Sequence, residues 1–476
     1  MKLARTAACL LSVAAAGTLT IGATAAAAAP AGAALNWQQC GPLECATVMV
    51  PVDWSRPGGA QLALGVAELP AASQPAQGTL FVDAVEPDGV GSSAIMFAQE
   101  HLGFFIGGLP LAHNRLNIVV VDRRGFGTSD PLSCTVSADD PSVPDLPANP
   151  SALDQLLAED RAVAQGCLGS GSLLDHLDTV SSARDLEAVR QALGVSKISY
   201  FGETDGGLLG ATYAAMYPNH VAAMVLDGAA DHQLPALPRL ISAAQAGEDL
   251  FDRFAAWCHA SSSCVLHGQD VGAEFDAVVA AANHGQLAGL TGQQIQVTTS
   301  HLVLGEHLIE WPLLGDAIAA ALHGDPSVFL AFVDLEFADP GYTASRAAGC
   351  ADFPARPADL LALAALSKQF PHLGGLSEWS DLAAVCAGWP IPAANPPEPL
   401  RVSGTPPILI VNTTHDSTTP YPWAVSLARS IAGSRLLTVD VSGHLGFDNS
   451  PGCAAKAEDA YLANGTLPPP GAVCPA

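Results

Sequence analysis

The sequence predicts an α/β protein in which a mostly parallel sheet is covered by helices on both faces and a helical cap is inserted before the last strands. Runs of β-type residues alternate with helical patterns along most of the chain. Residues 231–400 change to alanine- and leucine-rich helical stretches broken by Gly and Pro. Polar residues also follow three of the β-type runs, at the strand ends where such sheets bind ligands.

The predicted strands are short apolar runs rich in β-branched residues. In chain order they read ATVMVPVDW, LALGVAEL, GTLFVDAV, LNIVVVD, KISYFG, AAMVLDG, ILIVNTT and SRLLTVDVSG. The first two form an opening pair. Helical patterns separate the later runs, which indicates parallel strands joined by crossover helices.

One crossover helix is predicted by the segment SSARDLEAVRQALG. Ala183, Leu186, Val189 and Leu193 recur at three- and four-residue spacing, so they form one apolar face for the sheet. Asp178 or Thr179 would cap the start of this helix, and Gly194 would end it.

The first 33 residues have the pattern of an export signal. Lys2 and Arg5 precede an apolar stretch and a run of alanines with small-x-small cleavage sites. Gly and Thr interrupt the stretch, and Cys9 lacks the Leu three residues earlier that lipid attachment would require. We therefore expect a secreted protein with no membrane anchor.

The mature chain divides into three further segments. We expect the first part of the sheet core at 34–230, the helical cap at 231–400 and the last part of the core at 401–476. The proline-rich connector IPAANPPEPLRVSGTPP joins the cap to the last two predicted strands.

The net charge argues against nucleic-acid partners. It is −27 for the whole chain and −29 once Lys2 and Arg5 are removed with the signal. Such a charge repels nucleic acid and anionic membrane surfaces. It is also typical of a protein that stays soluble outside the cell.

An even number of cysteines follows the signal, which favours disulfides in an exported chain. We expect them to pair as neighbours in sequence order, although an even count fixes no connectivity. They are Cys40, Cys45, Cys134, Cys167, Cys258, Cys264, Cys350, Cys386, Cys453 and Cys474. No CxxC or HExxH is present, so neither a metal nor another cofactor is expected.

Three polar residues follow predicted strands in an order that indicates acyl-transfer chemistry. Thr204 comes after KISYFG, Asp416 after ILIVNTT and His444 after SRLLTVDVSG. Nucleophile, acid and histidine in this order are typical of one triad fold, and the two other well-known triad folds use different orders. Asp416 and His444 would equally well bond each other and brace their loops without catalysis.

The chain resembles the secreted actinobacterial α/β-hydrolases of the tripeptidyl aminopeptidase type, whose C-terminal region is called TAP-like. The matching stretches span nearly the whole mature chain; they are VPVDWSRPGG, VVVDRRGFGTSDP, YFGETDGG, GATYAAMYP, MVLDG, CAGWP, THDSTTPYPWA, VSGHLGF and AYLANGTLPPPGAVC. The resemblance implies an α/β-hydrolase fold and an exopeptidase acting at a free amino terminus. It places the catalytic triad at Thr204, Asp416 and His444.

The nucleophile elbow departs from the family pattern. G-x-S-x-G becomes G-E-T-D-G at residues 202–206, and no other G-x-S-x-G occurs in the sequence. The elbow residue is usually held at positive φ, where a β-branched residue is a steric outlier. Thr nucleophiles elsewhere use an N-terminal amine as base, which Thr204 lacks. Ser92 and Ser93 are an alternative nucleophile, but a glycine-bounded serine pair is ordinarily a loop or a helix cap.

The oxyanion region departs as well. The family has N-P-G-G-P-G where residues 83–88 here read Asp-Ala-Val-Glu-Pro-Asp. Glu86 would place a carboxylate where the oxyanion forms, and Asp205 adds a second beside the nucleophile. Because losing one oxyanion donor costs about 100- to 1000-fold in rate, activity is expected to be weak or lost.

Two functions follow from these patterns. The first is an exported hydrolase of peptide or ester bonds, with a peptide or small ester as substrate. The alternative is a pseudoenzyme that keeps the pocket and binds a peptide or small molecule without turning it over.

Overall fold

The structure is a computed structural model that describes residues 35–84, 93–135, 143–300, 310–337 and 340–475. Ten strands form one sheet in the order β1-β2-β3-β5-β4-β6-β7-β8-β9-β10. The strands are β1 (Gln38–Cys40), β2 (Leu43–Pro51), β3 (Gln61–Leu69), β4 (Gly78–Asp83), β5 (Leu116–Val121), β6 (Ile198–Glu203), β7 (Val221–Asp227), β8 (Ile408–His415), β9 (Arg435–Ser442) and β10 (Val473–Cys474).

The sheet is antiparallel at its start and parallel through the rest. β1, β2, β3 and β5 pair antiparallel along the chain of neighbours. Every later pair, from β5 with β4 to β9 with β10, is parallel. The expectation of a mostly parallel sheet after an opening pair is therefore confirmed, and the carboxyl ends of β4, β6, β7, β8 and β9 share one edge.

Helices cover both faces of the sheet. They are α1 (Ala94–Glu100), α2 (Pro110–Arg115), α3 (Pro150–Cys167), α4 (Thr179–Ala192), α5 (Asp205–Met216), α14 (Tyr421–Ser430), α15 (Gly446–Asn449) and α16 (Ala454–Asn464). One buried cluster joins α4, α5 and α14 to residues such as Tyr200 and Ile410. The other joins α1 and α16 to Phe201 and Val411.

Helix α4 forms as its sequence pattern predicts. The Asp178 side chain accepts from the Ser181 backbone N–H and caps the helix, and Gly194 follows its end at φ +70°. Ala183, Leu186 and Val189 are buried against the sheet.

A helical segment lies between β7 and β8 in the chain. Its helices are α6 (Ala236–Ala260), α7 (Val271–Asn283), α8 (Gly292–Thr298), α9 (Glu310–Leu322), α10 (Ser327–Phe337), α11 (Pro340–Asp352), α12 (Pro357–Ala365) and α13 (Glu378–Gly388). α6, α7 and α9 share a core of their own, which includes Phe251, Phe275 and Trp311. α11 and α13 instead join a cluster with Leu208 of α5 and Trp423 of α14. This second cluster brings the helical segment against the candidate site.

Five disulfides join neighbours in sequence order. They are Cys40–Cys45, Cys134–Cys167, Cys258–Cys264, Cys350–Cys386 and Cys453–Cys474. Within the described ranges, no helix is both long enough and apolar enough to cross a membrane. The expected signal segment at 1–33 lies outside the described residues.

Candidate active site

The turn between β6 and α5 holds Thr204 in a strained conformation. Its φ is 50° and its ψ is −110°, a positive φ that a β-branched residue adopts only at a cost of about 1–3 kcal/mol. Gly202 and Gly206 make the turn possible, because a side chain on Gly202 would overlap the Gly206 backbone and one on Gly206 would overlap Asp83. The sequence therefore builds an elbow and places Thr204 at its tip.

The hydroxyl of Thr204 points at an imidazole. Thr204 Oγ1 lies 2.7 Å from His444 Nε2, and both residues are 4% exposed. The Thr204 backbone N–H donates to the carbonyl of Asp227 at 3.1 Å, which ties the elbow to the end of β7. Nucleophile-to-base contact at this distance is what proton transfer requires.

Asp416 follows β8 and is fully engaged by donors. Its Oδ1 accepts from the Thr419 backbone N–H at 2.7 Å, and its Oδ2 accepts from the Thr419 hydroxyl at 3.0 Å. Asn412 Nδ2 lies 3.4 Å from the same Oδ2. Three donors therefore hold this one carboxylate in place.

His444 follows β9 and completes a chain of contacts. Its Nδ1 lies 2.9 Å from Asp416 Oδ2. An ionised carboxylate only accepts, so Nδ1 carries the hydrogen and Nε2 presents a lone pair to Thr204. The structure thus brings together Thr204, Asp416 and His444, which the sequence places far apart; their catalytic role stays a prediction.

The expected oxyanion region is described only in part. Glu86 lies outside the described residues. Asp205 is half-buried. It directly follows Thr204 and opens α5, so its backbone N–H is the donor next to the proposed nucleophile. Asp83 begins the 83–88 region. It forms a bidentate ion pair with Arg123, in which both N–O distances are 3.1 Å. Burial opposes the charge of Arg123, but the carboxylates of Asp83 and Asp205 raise its pKa above the ordinary value.

Two adjoining cavities lie beside the elbow. They share Asp205, Ser345, Gly349 and Phe353 as lining residues. The first is also lined by Asp83, Arg123 and Asp352, and the second by Arg346, Glu378 and Trp379. The three arginines of this lining each pair with a carboxylate, Arg123 with Asp83, Arg124 with Asp185 and Arg346 with Asp381. Asp205 near Arg123 and Glu378 near Arg346 add further negative charge.

The DRRGFGTS segment forms a structural turn. Asp122 accepts from the Ser93 hydroxyl at 2.9 Å and from the Thr128 backbone N–H at 2.7 Å. Ser93 also accepts from the Met96 N–H and so caps α1. These contacts agree with the reading of Ser93 as a helix cap, whereas Ser92 lies outside the described residues.

Sequence reasoning gave three residues of this region no role. Thr419 stands in the D-x-x-T-P segment, Arg123 follows β5, and Asp227 ends β7. Asp227 could have been found from the sequence, because it is a polar residue at the carboxyl end of a strand, as Thr204 is. In the described part of the chain, no cluster of three or more His, Cys, Asp or Glu side chains is arranged to hold a metal ion.

Comparison with known proteins places the chain in a family. The model described as alpha/beta hydrolase fold matches residues 97–282, and the model described as TAP-like protein matches residues 376–474. Carboxylesterase B of Mycobacterium tuberculosis is 31% identical over 458 residues, which is 90% of this chain and 86% of the relative. The chain belongs to the α/β-hydrolase family.

Two further relatives of this α/β-hydrolase are named as peptidases. Serine protease Hip1 of Mycobacterium tuberculosis is 29% identical over 90% of this chain and 87% of its own. Tripeptidyl aminopeptidase of Streptomyces lividans is 28% identical over 93% of this chain and 87% of its own. The resemblance to the tripeptidyl aminopeptidase type is therefore confirmed.

Proposed function

We propose that this α/β-hydrolase is an exported enzyme that cleaves peptide or short ester bonds with Thr204 as nucleophile. One observation carries the proposal: Thr204 Oγ1 lies 2.7 Å from His444 Nε2, and Asp416 holds the other ring nitrogen at 2.9 Å. That arrangement matches the nucleophile, base and orienting acid of a hydrolytic triad.

The reaction proceeds through an acyl-threonine. Thr204 Oγ1 attacks the carbonyl carbon while His444 Nε2 takes the hydroxyl proton. The protonated His444 then gives that proton to the leaving amine or alcohol as the carbonyl–leaving group bond breaks. Water then gives a proton to His444 Nε2 and attacks the acyl carbon. The bond between this carbon and Oγ1 breaks as His444 passes the proton to Oγ1, which frees the acid and Thr204.

The surroundings of the elbow favour a substrate with a free amino terminus. Asp205 and Glu378 line the space next to Thr204, and each of the three arginines there already has a carboxylate partner other than these two acids. An ammonium group would be attracted to this space, whereas a carboxylate would be repelled. Relatives named as a tripeptidyl aminopeptidase and a serine protease also support peptide substrates.

Export is supported by the cysteines. Ten of them form five disulfides, which persist in oxidising compartments and are rare in the reducing cytosol. The signal-like pattern at 1–33 supports the same conclusion.

The turnover is slow on this proposal. The positive φ of Thr204 stores strain, and its methyl group crowds the attacked carbon. The Asp205 carboxylate also stands beside the N–H that faces the developing oxyanion, and like charge there opposes the transition state.

The test compares the native protein with Thr204→Val, which keeps the β-branched shape and removes only the hydroxyl. Both would be offered chromogenic tripeptide amides, the same amides with a blocked amino terminus, and short esters. We expect slow turnover by the native protein, best on the unblocked amides, and none by the variant. Equal turnover by both proteins would show that Thr204 is not the nucleophile.

A non-catalytic binding protein is the second candidate. The observation that favours it is Asp205, whose charge opposes an oxyanion at the first residue of α5. In that case neither the native protein nor Thr204→Ser turns over any substrate. Unblocked tripeptides would nevertheless bind the native protein, as measured by calorimetry.

A further inference from the structure

Asp227 contacts the elbow that carries the proposed nucleophile, Thr204, and the loop that carries the proposed base, His444. It is itself neither nucleophile nor base. It ends β7 and is fully buried. Its main-chain carbonyl accepts the Thr204 N–H at 3.1 Å. Its carboxylate accepts from the backbone N–H of Gly446 at 3.0 Å and of Phe447 at 2.7 Å, the two groups that follow His444 and Leu445 in the chain.

The loop that carries His444 depends on outside acceptors. Leu445 has φ 67°, a conformation that an apolar side chain rarely adopts. Gly446 and Phe447 open the four-residue helix α15, so their N–H groups have no acceptor within the helix. Without the Asp227 carboxylate, both N–H groups would be buried donors lacking these bonds, and the strained loop would relax.

A second acid lies against this carboxylate. Glu458 of α16 is fully buried, and within the described chain no N–H or O–H group donates to its carboxyl oxygens. Burial and the charge of Asp227 raise the pKa of Glu458 well above its ordinary value. Burial also raises the pKa of Asp227, to about 7, against the opposing effect of the two N–H groups.

The pair is expected to hold one proton, because two buried carboxylates in contact do not both ionise. Asp227 accepts two backbone N–H groups and Glu458 accepts none, so the charge is best placed on Asp227 and the proton on Glu458. The other titratable groups that face Asp227 are His444, Asp448 of α15 and Glu203, its register partner on β6. Among them only His444 would favour the charge, and only in its protonated form.

We propose that Asp227 is a positioning residue for His444: its carboxylate, which accepts from the Gly446 and Phe447 N–H groups, fixes the 445–447 loop so that Nε2 stays aimed at Thr204. The catalytic consequence rests on the proposed function. The positioning itself does not, because the loop is held whether or not turnover occurs.

Hydrogen exchange at the loop tests the positioning without any substrate. Asp227→Asn keeps the size of the side chain but leaves one oxygen to accept two N–H groups. We expect exchange at Gly446 and Phe447 to become about tenfold faster or more, with Gly207 and Leu208 of α5 as internal references.

Asp459→Asn is the matched control. Asp459 neighbours Glu458 on α16 and likewise accepts two backbone N–H groups, from Leu111 at 2.9 Å and Ala112 at 2.8 Å, but these belong to α2. This variant should loosen α2 and leave residues 446 and 447 protected. Equal loosening of 446 and 447 by both variants would reduce Asp227 to a general packing role and overturn the proposal.

Two measurements address positioning rather than packing. The imidazole of His444, followed by NMR, should show a lower pKa in Asp227→Asn and an unchanged one in Asp459→Asn, because a nearby negative charge is lost only in the first.

If Asp227→Asn does not fold, hydrogen exchange in the native protein takes its place. Its protection at 446 and 447, relative to 207 and 208, should fall as Asp227 takes up a proton below pH 7, and a constant ratio overturns the proposal.

The outcomes also separate this proposal from the proposed function. Absence of turnover in the native protein and Thr204→Ser, together with the expected exchange pattern, would remove the enzyme and keep the positioning. Where turnover is measured, Asp227→Asn should lower kcat with KM little changed, since the substrate pocket is untouched.

Discussion

The two sides of the candidate site differ in how completely their groups are supported. On the acid–base side, formed by the loops after β8 and β9, Asp416 accepts three donors and His444 is buried between its partners. On the nucleophile side, formed by the β6–α5 turn, Thr204 is strained and Asp205 adds negative charge. The difference leads us to expect that the nucleophile side, rather than the base, limits the proposed reaction.

The largest effect should come from breaking the acid–base side. His444→Ala removes the proton acceptor, and we expect kcat on an unblocked tripeptide amide to fall at least about 1000-fold. His259→Ala, which changes an exposed histidine of α6, serves as the control and should stay within twofold of the native rate. Retention of activity in His444→Ala would mean that another base acts.

Restoring the nucleophile side gives the next largest effect. Thr204→Ser removes the methyl group that crowds the attacked carbon in the transition state, and we expect kcat to rise about 10- to 100-fold, which corresponds to roughly 1.4–2.7 kcal/mol of activation free energy. Steady-state kinetics on the same amide would measure it. If Thr204→Ser were slower than the native protein, the elbow would position threonine better than serine. The conclusion that the nucleophile side limits the reaction would then be wrong.

The charge beside the oxyanion should have a smaller effect. Asp205→Asn removes a negative charge and keeps the side-chain shape, so kcat should rise about three- to tenfold at neutral pH. KM for amides with a free amino terminus should rise at the same time, because the cavity loses an acid. Asp154→Asn on the exposed face of α3 is the control. An unchanged kcat would show that the Asp205 charge does not slow the proposed reaction.

The smallest expected effect concerns stability. Burial raises the pKa of Asp352 and of Asp227 to about 7 in each case. Carboxyl groups whose folded pKa is raised stabilise the fold below their unfolded pKa, and this contribution is lost as pH rises through the folded pKa. Tm should therefore be higher at pH 5 than at pH 8.5, by on the order of 3 °C for a chain of this size.

Asp352→Asn is the variant that checks this cause. It removes one of the raised groups and should flatten the fall in Tm between the two pH values. Glu187 acts in the opposite sense, since the bonds from Arg190, Gln191 and His220 outweigh its burial and lower its pKa to about 2. Its contribution is lost only when pH falls below its unfolded pKa, so it does not offset the expected trend. A Tm that rises from pH 5 to pH 8.5 would contradict the assignment of the buried acids.

The parts of the site that sequence predicted are those set by local rules. Thr204, Asp416 and His444 each follow a recognisable strand, and parallel strands bring their carboxyl ends to one edge. The capped helix α4 was readable for the same reason, since its spacing and its Asp178 cap lie within one short segment.

The parts that sequence did not reveal depend on contacts between distant segments. Asp83 meets Arg123 and Asp227 meets Glu458 only because the sheet and α16 bring them together. No periodicity or spacing encodes such a pair. The charge of each acid depends on its burial and its partner, so its role follows from the fold rather than from its neighbours in the chain.

Covalent trapping addresses the nucleophile itself. The native protein would be incubated with a fluorophosphonate, and the modified peptide would be located by mass spectrometry. We expect a single phosphonyl group on Thr204, formed slowly in the native protein, faster in Thr204→Ser and not at all in His444→Ala. A native protein that stays unmodified while Thr204→Ser reacts, or an adduct on any other residue, would contradict Thr204 as an activated nucleophile.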